Sequence, residues 1–118
     1  MYLRPGSLFR QFLVEEKGTS TRDTGRKETV FRATGRMING VLSDAKTQEI
    51  QRWKELQHPI THTIVQKDGP ALAKAGDRLV HGDRYFFVQG TDDASMLGMF
   101  VLYYVEERSD RNDAKRGS

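Results

Sequence analysis

The sequence predicts a mainly β domain, a small antiparallel β-barrel or sandwich of about six strands with one short helix or long mobile loop. Three observations carry this. Short apolar segments alternate with polar turns rich in glycine, aspartate and threonine. Arg78-Leu79-Val80-His81 and Arg84-Tyr85-Phe86-Phe87-Val88 flank Gly82-Asp83, where glycine supplies the positive φ of a tight hairpin. The 118 residues include no cysteine, so neither disulfides nor thiolate metal sites hold the fold, and apolar packing in one core must do so.

The elements follow in order. Leu8 to Val14, with Phe9, Phe12 and Leu13, reads as a first strand that ends at Glu15-Glu16-Lys17-Gly18. Thr19 to Lys27 has no apolar side chain to bury, which predicts an exposed hairpin loop, with mobility expected over residues 16–28. Glu28 to Ala33 alternates as a strand, and Gly35 and Gly40 around Met37-Ile38 predict a bend or bulge before Val41-Leu42. Ser43 and Asp44 are good N-caps, and Ala45 to Gln57 holds helix formers with Ile50, Trp53 and Leu56 spaced by three. Pro59 then stops a helix, and Ile60 to Val65 is β-branched and strand-like. Asp68-Gly69-Pro70 signals a turn, and Ala71 to Ala75 allows at most one helical turn.

After the polar turn Gly90 to Ser95, Leu97 to Glu106 is apolar on both sides. Met99, Val101, Tyr103 and Val105 lie on one face, and Phe100, Leu102 and Tyr104 on the other. A barrel strand turns only one face to the core, so a helix, an extended loop or a neighbouring subunit must cover the second. The expected organisation is one domain over residues 1–107, with mobile loops 16–28 and 41–58, and a disordered charged tail over 108–118.

Charge and motifs narrow the function classes. The tail carries +2 of the net +3, and the body interleaves both signs, which does not favour a dedicated nucleic-acid binder despite the pI of 9.3. No apolar run spans a bilayer, and the start lacks a signal peptide's apolar core, so the expected setting is soluble and intracellular. His58, His62 and His81 match no metal-ligand spacing, and a hydrogen-bonded, half-buried His62 is the preferred reading. The carboxylate pairs Glu15-Glu16, Asp92-Asp93 and Glu106-Glu107 point to opposite faces of a strand. No serine sits in a nucleophile elbow, and no glycine run matches a phosphate loop. No catalytic, metal or cofactor-binding residue is therefore assigned, and no cofactor is expected.

Three stretches resemble the head-completion proteins of tailed bacteriophages, also called head-tail joining, head-closure or stopper proteins. They are Leu56-Gln57-His58-Pro59-Ile60-Thr61-His62-Thr63-Ile64, the hairpin Asp77 to Phe86, and Tyr104-Val105-Glu106-Glu107, with coverage from about Leu8 to Arg108. The tail and the extra residues around Asp92 to Met96 depart from the family pattern. The resemblance implies a non-enzymatic protein of the virion neck, monomeric when free and a homo-oligomeric ring on assembly. It would bind beneath the portal-connector (adaptor), close the DNA channel and offer the tail proteins a docking surface, with non-specific contact to packaged DNA and none to membrane. Its localisation would be the virion, and the host cytoplasm during assembly.

The segment between the early strands and Pro59 would then reach the channel or connector, through Leu42, Lys46, Gln48, Glu49, Ile50, Arg52, Trp53 and Lys54. Trp53 and Ile50 would be interface anchors, and Phe100, Leu102 and Tyr104 a subunit-interface strand. A tail-completion protein of related fold is an alternative. An oligonucleotide-binding barrel is another, which expects Arg84, Tyr85, Phe87 and Tyr103 to be exposed together. A small metal-dependent hydrolase would instead bring His58, His62 and His81 to one ion.

Overall fold

The computed structural model describes residues 9–21, 25, 27–67, 69–92 and 99–109. The chain forms β1 (Phe9–Thr21), β2 (Lys27–Asp44), α1 (Thr47–Glu55), β3 (His62–Lys67), β4 (Arg78–His81), β5 (Arg84–Asp92) and β6 (Phe100–Arg108). All pairings are antiparallel, and the order β1-β2-β3-β6-β5-β4 closes into a barrel where Leu13 of β1 meets Val80 of β4. The residues expected at the first hairpin tip (22–24 and 26), Asp68, the insertion at 93–98 and the tail from 110 lie outside the described residues, as do 1–8.

Period-two alternation fills the barrel. Phe12, Val14, Ile38, Ile64, Leu79, Phe86, Val88, Val101, Tyr103 and Val105 are buried together, and Phe12 meets Phe86 edge to face at 5.8 Å. The β4–β5 hairpin forms as the sequence predicts, with Gly82 at φ 62°. The two glycines of β2 divide the expected bend between them. Gly35, at φ 83°, lies where the β1–β2 register shifts between Leu13 and Glu15, and the Thr34 hydroxyl donates to the Val14 carbonyl at 2.8 Å. Gly40 instead permits close approach to β3, since a Cβ there would sit 2.7 Å from Cγ2 of Ile64.

Two expectations are corrected. β1 and β2 continue through much of the anticipated loop 16–28, with Gly18 opposite Val30 and Thr21 opposite Lys27. The ladder between the two strands carries them on without any buried side chain among those described there. Residues 41–58 are likewise not one loop: Val41 to Asp44 complete β2, and α1 follows with Lys46 as N-cap, while Ser43 and Asp44 pair with Thr63 and His62. The helix ends at Glu55, before Pro59 takes effect, and the chain leaves it through Gln57 at φ 63°, where the amides of Gln57 and His58 return to the carbonyls of Lys54 and Trp53.

The alanine-rich stretch after β3, for which at most one helical turn is expected, forms none. It plugs the barrel end instead. The Tyr103 hydroxyl accepts from the Leu72 amide at 3.0 Å and donates to Oε1 of Gln66 at 2.5 Å, and Nε2 of Gln66 donates to the Pro70 carbonyl at 2.9 Å. Ala73 is buried, and Asp77 holds the return to β4 by accepting from the Lys74 amide at 3.0 Å.

Candidate interaction surfaces

The outer face of β6 is covered in part by the chain's own helix. The Trp53 ring stacks at a 35° tilt on Tyr104, with centroids 4.8 Å apart, and its edge enters a notch at Gly90. A Cβ at Gly90 would lie 2.5 Å from Cη2 of Trp53. The notch exists because β5 slips register between Val88 and Gly90 and carries no side chain there. Tyr104 is thereby left 7% exposed. Burial first, and then the Glu49 and Asp92 carboxylates, push its phenol above the ordinary value, with Arg52 opposing.

This contact is narrow. No residue of α1 is fully buried, and Nε1 of Trp53 is enclosed without an acceptor among the described residues. Of the apolar stripe anticipated in the sequence, only Trp53 turns inward, while Ile50 is 36% and Leu56 55% exposed. Lys46, Gln48, Arg52 and Lys54 are exposed, and Glu49 is half-buried with Oε1 accepting from the Lys46 amide at 3.3 Å. Leu42 points the other way, packing against the core from β2. Sequence reasoning passed over Gly90, although an isolated glycine inside a strand signals close approach of another group.

Two apolar rows cross the barrel's outside. In the first, Phe9, Val41, Val65 and Leu102 are successive cross-strand partners over β1, β2, β3 and β6, all half-buried, with Phe100 beside them at 37% exposure. In the second, Met37, Leu13, Val80 and Tyr85 are partners over β2, β1, β4 and β5, and Met37 and Leu13 are 44% and 50% exposed. Gln11 opposite Asn39 separates the rows where β1 and β2 contribute to both.

The unplugged mouth is polar. Arg84 grips Glu107 with two hydrogen bonds of 2.7 and 2.9 Å, which chiefly hold the Glu107 carboxyl below its usual range and raise the guanidinium against burial. His62 lies 3.4 Å from Asp44 and 4.0 Å from Glu107, packs edge-on against Phe86 and shares a 2.7 Å hydrogen bond with the Thr61 hydroxyl. Asp44, His62 and Arg84, with Leu42 and Ser43, line an open recess of about 450 Å³.

The base-stacking platform does not form. Tyr103 is inside the barrel, and Phe87 is 8% exposed beneath the Arg108 guanidinium and the edge of Phe31. The histidines take separate settings: His81 reaches the Gln11 carbonyl at 3.1 Å, and His58 lies across the outside of β5 near Phe87. Among the described residues, no three histidines or carboxylates gather as a metal site.

These features define a class, a closed six-stranded antiparallel barrel with a helix docked outside. No protein-family model and no curated protein matches the chain. Among solved structures, its fold is similar to that of a chain from the virion of a native gene transfer agent particle, at a TM-score of 0.54 and 17% identity, covering 85% of this chain and 94% of that one.

Proposed function

We propose that this chain is a non-enzymatic structural component of a phage-like virion, acting at the neck as a head-completion or stopper protein. The observation that carries the reading is the barrel's exposed apolar dressing: two separate rows outside a complete core, beside a helix that displays Ile50. The fold it shares with a chain of a gene transfer agent virion supports the same setting. Identical subunits in a ring meet through two different patches, one from each neighbour. The row Val41, Val65 and Leu102 with Phe100 is assigned to one side of that contact, and the row Met37, Leu13 and Val80 to the other. Helix α1, through Lys46, Gln48, Arg52 and Lys54, faces the connector or the channel.

The test is add-back to DNA-filled particles assembled without this chain. The wild-type protein restores DNA retention and tail attachment. The pair Phe100→Glu with Leu102→Glu, shown to be folded by its amide NMR spectrum, binds neither its own kind nor the particle. A folded double variant that restores retention fully would overturn the ring assignment, and failure of the wild-type protein itself to bind particles would overturn the neck reading.

A further inference from the structure

The first hairpin is longer than the barrel requires. β4 stops pairing with β1 at Glu15, and β3 reaches β2 only from Gly40 onward, so in the ladder Glu16 to Thr21 pair solely with Lys27 to Arg32. This arm bends over the outside of β4 and β5. Phe31 meets Phe87 edge to face at 5.6 Å, and the Arg78 guanidinium is held between Phe31 and Tyr85, at 4.4 and 4.7 Å from their ring centres. Glu15 fixes Arg78 from the other side at 2.5 Å. The arm is therefore anchored at its base by an aromatic and cationic stack.

Between arm and barrel lies a cleft of about 400 Å³, with Lys17, Thr29 and Phe31 on one wall, Phe87 in the floor, and His58 and Arg108 on the far side. Its chemistry is one-sided. The lining holds three basic side chains and no carboxylate. Arg108 is shared with Glu106 at 2.6 Å and lies over Phe87, whereas Lys17 and His58 are exposed at the cleft's opposite margins. The β1 edge of the arm, past Glu15, has no described strand beside it, so its backbone groups are open to a further strand.

We infer that this cleft is a docking site for an extended acidic segment of another protein, one that alternates carboxylates with apolar side chains. Such a segment adds along the open edge of β1, as strand-addition ligands do. Its carboxylates meet Lys17 and His58, and its apolar side chains cover Phe31 and the rim of Phe87. Nucleic acid fits less well. One face of each phenyl ring is already taken, that of Phe31 by Arg78 and that of Phe87 by Arg108, which leaves less ring surface for bases to stack on. The inference is independent of the ring assignment, because none of the cleft residues named belongs to either apolar row.

The test titrates the full-length protein with a short capped peptide alternating glutamate with leucine, its glutamine–leucine counterpart, and a thymidine oligonucleotide, followed by amide NMR. The glutamate peptide shifts resonances of Lys17, Thr29, His58 and Phe87, and the glutamine peptide binds about tenfold more weakly or not at all. The double variant Lys17→Glu with His58→Glu, both positions exposed and outside the core, loses about tenfold in affinity with an unchanged spectrum elsewhere. Equal binding of the two peptides, shifts confined to other surfaces, or unchanged affinity of the double variant would each overturn the proposal. Tighter binding of the oligonucleotide at the same residues would overturn it in favour of a nucleic-acid groove.

Discussion

Tyr103 and Tyr104 are neighbours in the chain and opposites in the fold. Tyr103 points into the barrel with no exposure, and its hydroxyl bridges Gln66 and Leu72, so the plug, β3 and β6 share one satisfied polar junction. Tyr104 points outward and is covered by Trp53, whose indole N–H is enclosed without an acceptor among the described residues. Both rings are buried, but the interior one sits in a satisfied polar junction, whereas the cover of the outer one carries an unmet donor. The difference separates a permanent contact from a replaceable one, because an unmet buried donor costs about 1–3 kcal/mol and erodes what the stacked rings contribute.

The largest effect should come from breaking the interior side of this pair. Tyr103→Ala leaves a ring-sized void and unbinds the plug, and a loss of about 3–5 kcal/mol is expected in urea unfolding. Tyr103→Phe keeps the packing and removes only the hydroxyl, leaving the Leu72 amide and Oε1 of Gln66 without it, for about 1–3 kcal/mol. If both variants unfold at the wild-type midpoint, the polar junction is not what holds the plug.

Next comes the outer side. Gly90→Val puts carbon where the Trp53 ring lies and forces the indole out of its notch. The expected cost is about 1–3 kcal/mol, with the barrel intact. Trp53 is the chain's single tryptophan, so its fluorescence reports only this dock and should shift to the red. An unshifted spectrum would mean that the helix does not depend on the notch.

The same contrast explains what the sequence made legible. Gly82-Asp83 and the alternation of β6 are local patterns; the hairpin appears where its pattern puts it, and β6 keeps the expected alternation but runs on to Arg108, past the expected end at Glu106. The covering of the outer β6 face was legible as a need, while its supplier was not, since helix, loop and subunit satisfy the same pattern. Ile50, Trp53 and Leu56 look equivalent at helical spacing, and only a register slip near Gly90, on a distant strand, selects Trp53. The plug was illegible for a similar reason. Its stability rests on backbone groups of Pro70 and Leu72 meeting side chains from β3 and β6, which no window of the sequence displays. The arm past Gly18 was missed because a β ladder needs no apolar residue to continue.

A smaller effect belongs to the barrel's open mouth, where Arg84 and Glu107 are about a third exposed. The Glu107 carboxyl is depressed in the folded state, so the pair's stabilisation is present above the ordinary glutamate range and is lost as pH falls through the folded value. Solvent limits it to under about 1 kcal/mol. Glu107→Gln should therefore lower stability slightly at neutral pH and flatten the acid limb of the unfolding midpoint plotted against pH. A variant whose acid limb parallels the wild type would show that other carboxyls govern that limb.

The smallest effect sharpens the comparison most. Trp53→Phe preserves an aromatic ring over Tyr104 and deletes the enclosed donor, so two terms oppose: lost ring area destabilises, and removal of an unmet N–H stabilises. They are of similar size, and the expected change in urea unfolding is within about 0.5 kcal/mol of zero. The parallel substitution Trp53→Leu loses the stacking as well and should cost more than phenylalanine does. If Trp53→Phe instead destabilises as strongly as Gly90→Val, the indole N–H has an acceptor in solution, and the outer tyrosine's cover is as well satisfied as the inner tyrosine's network.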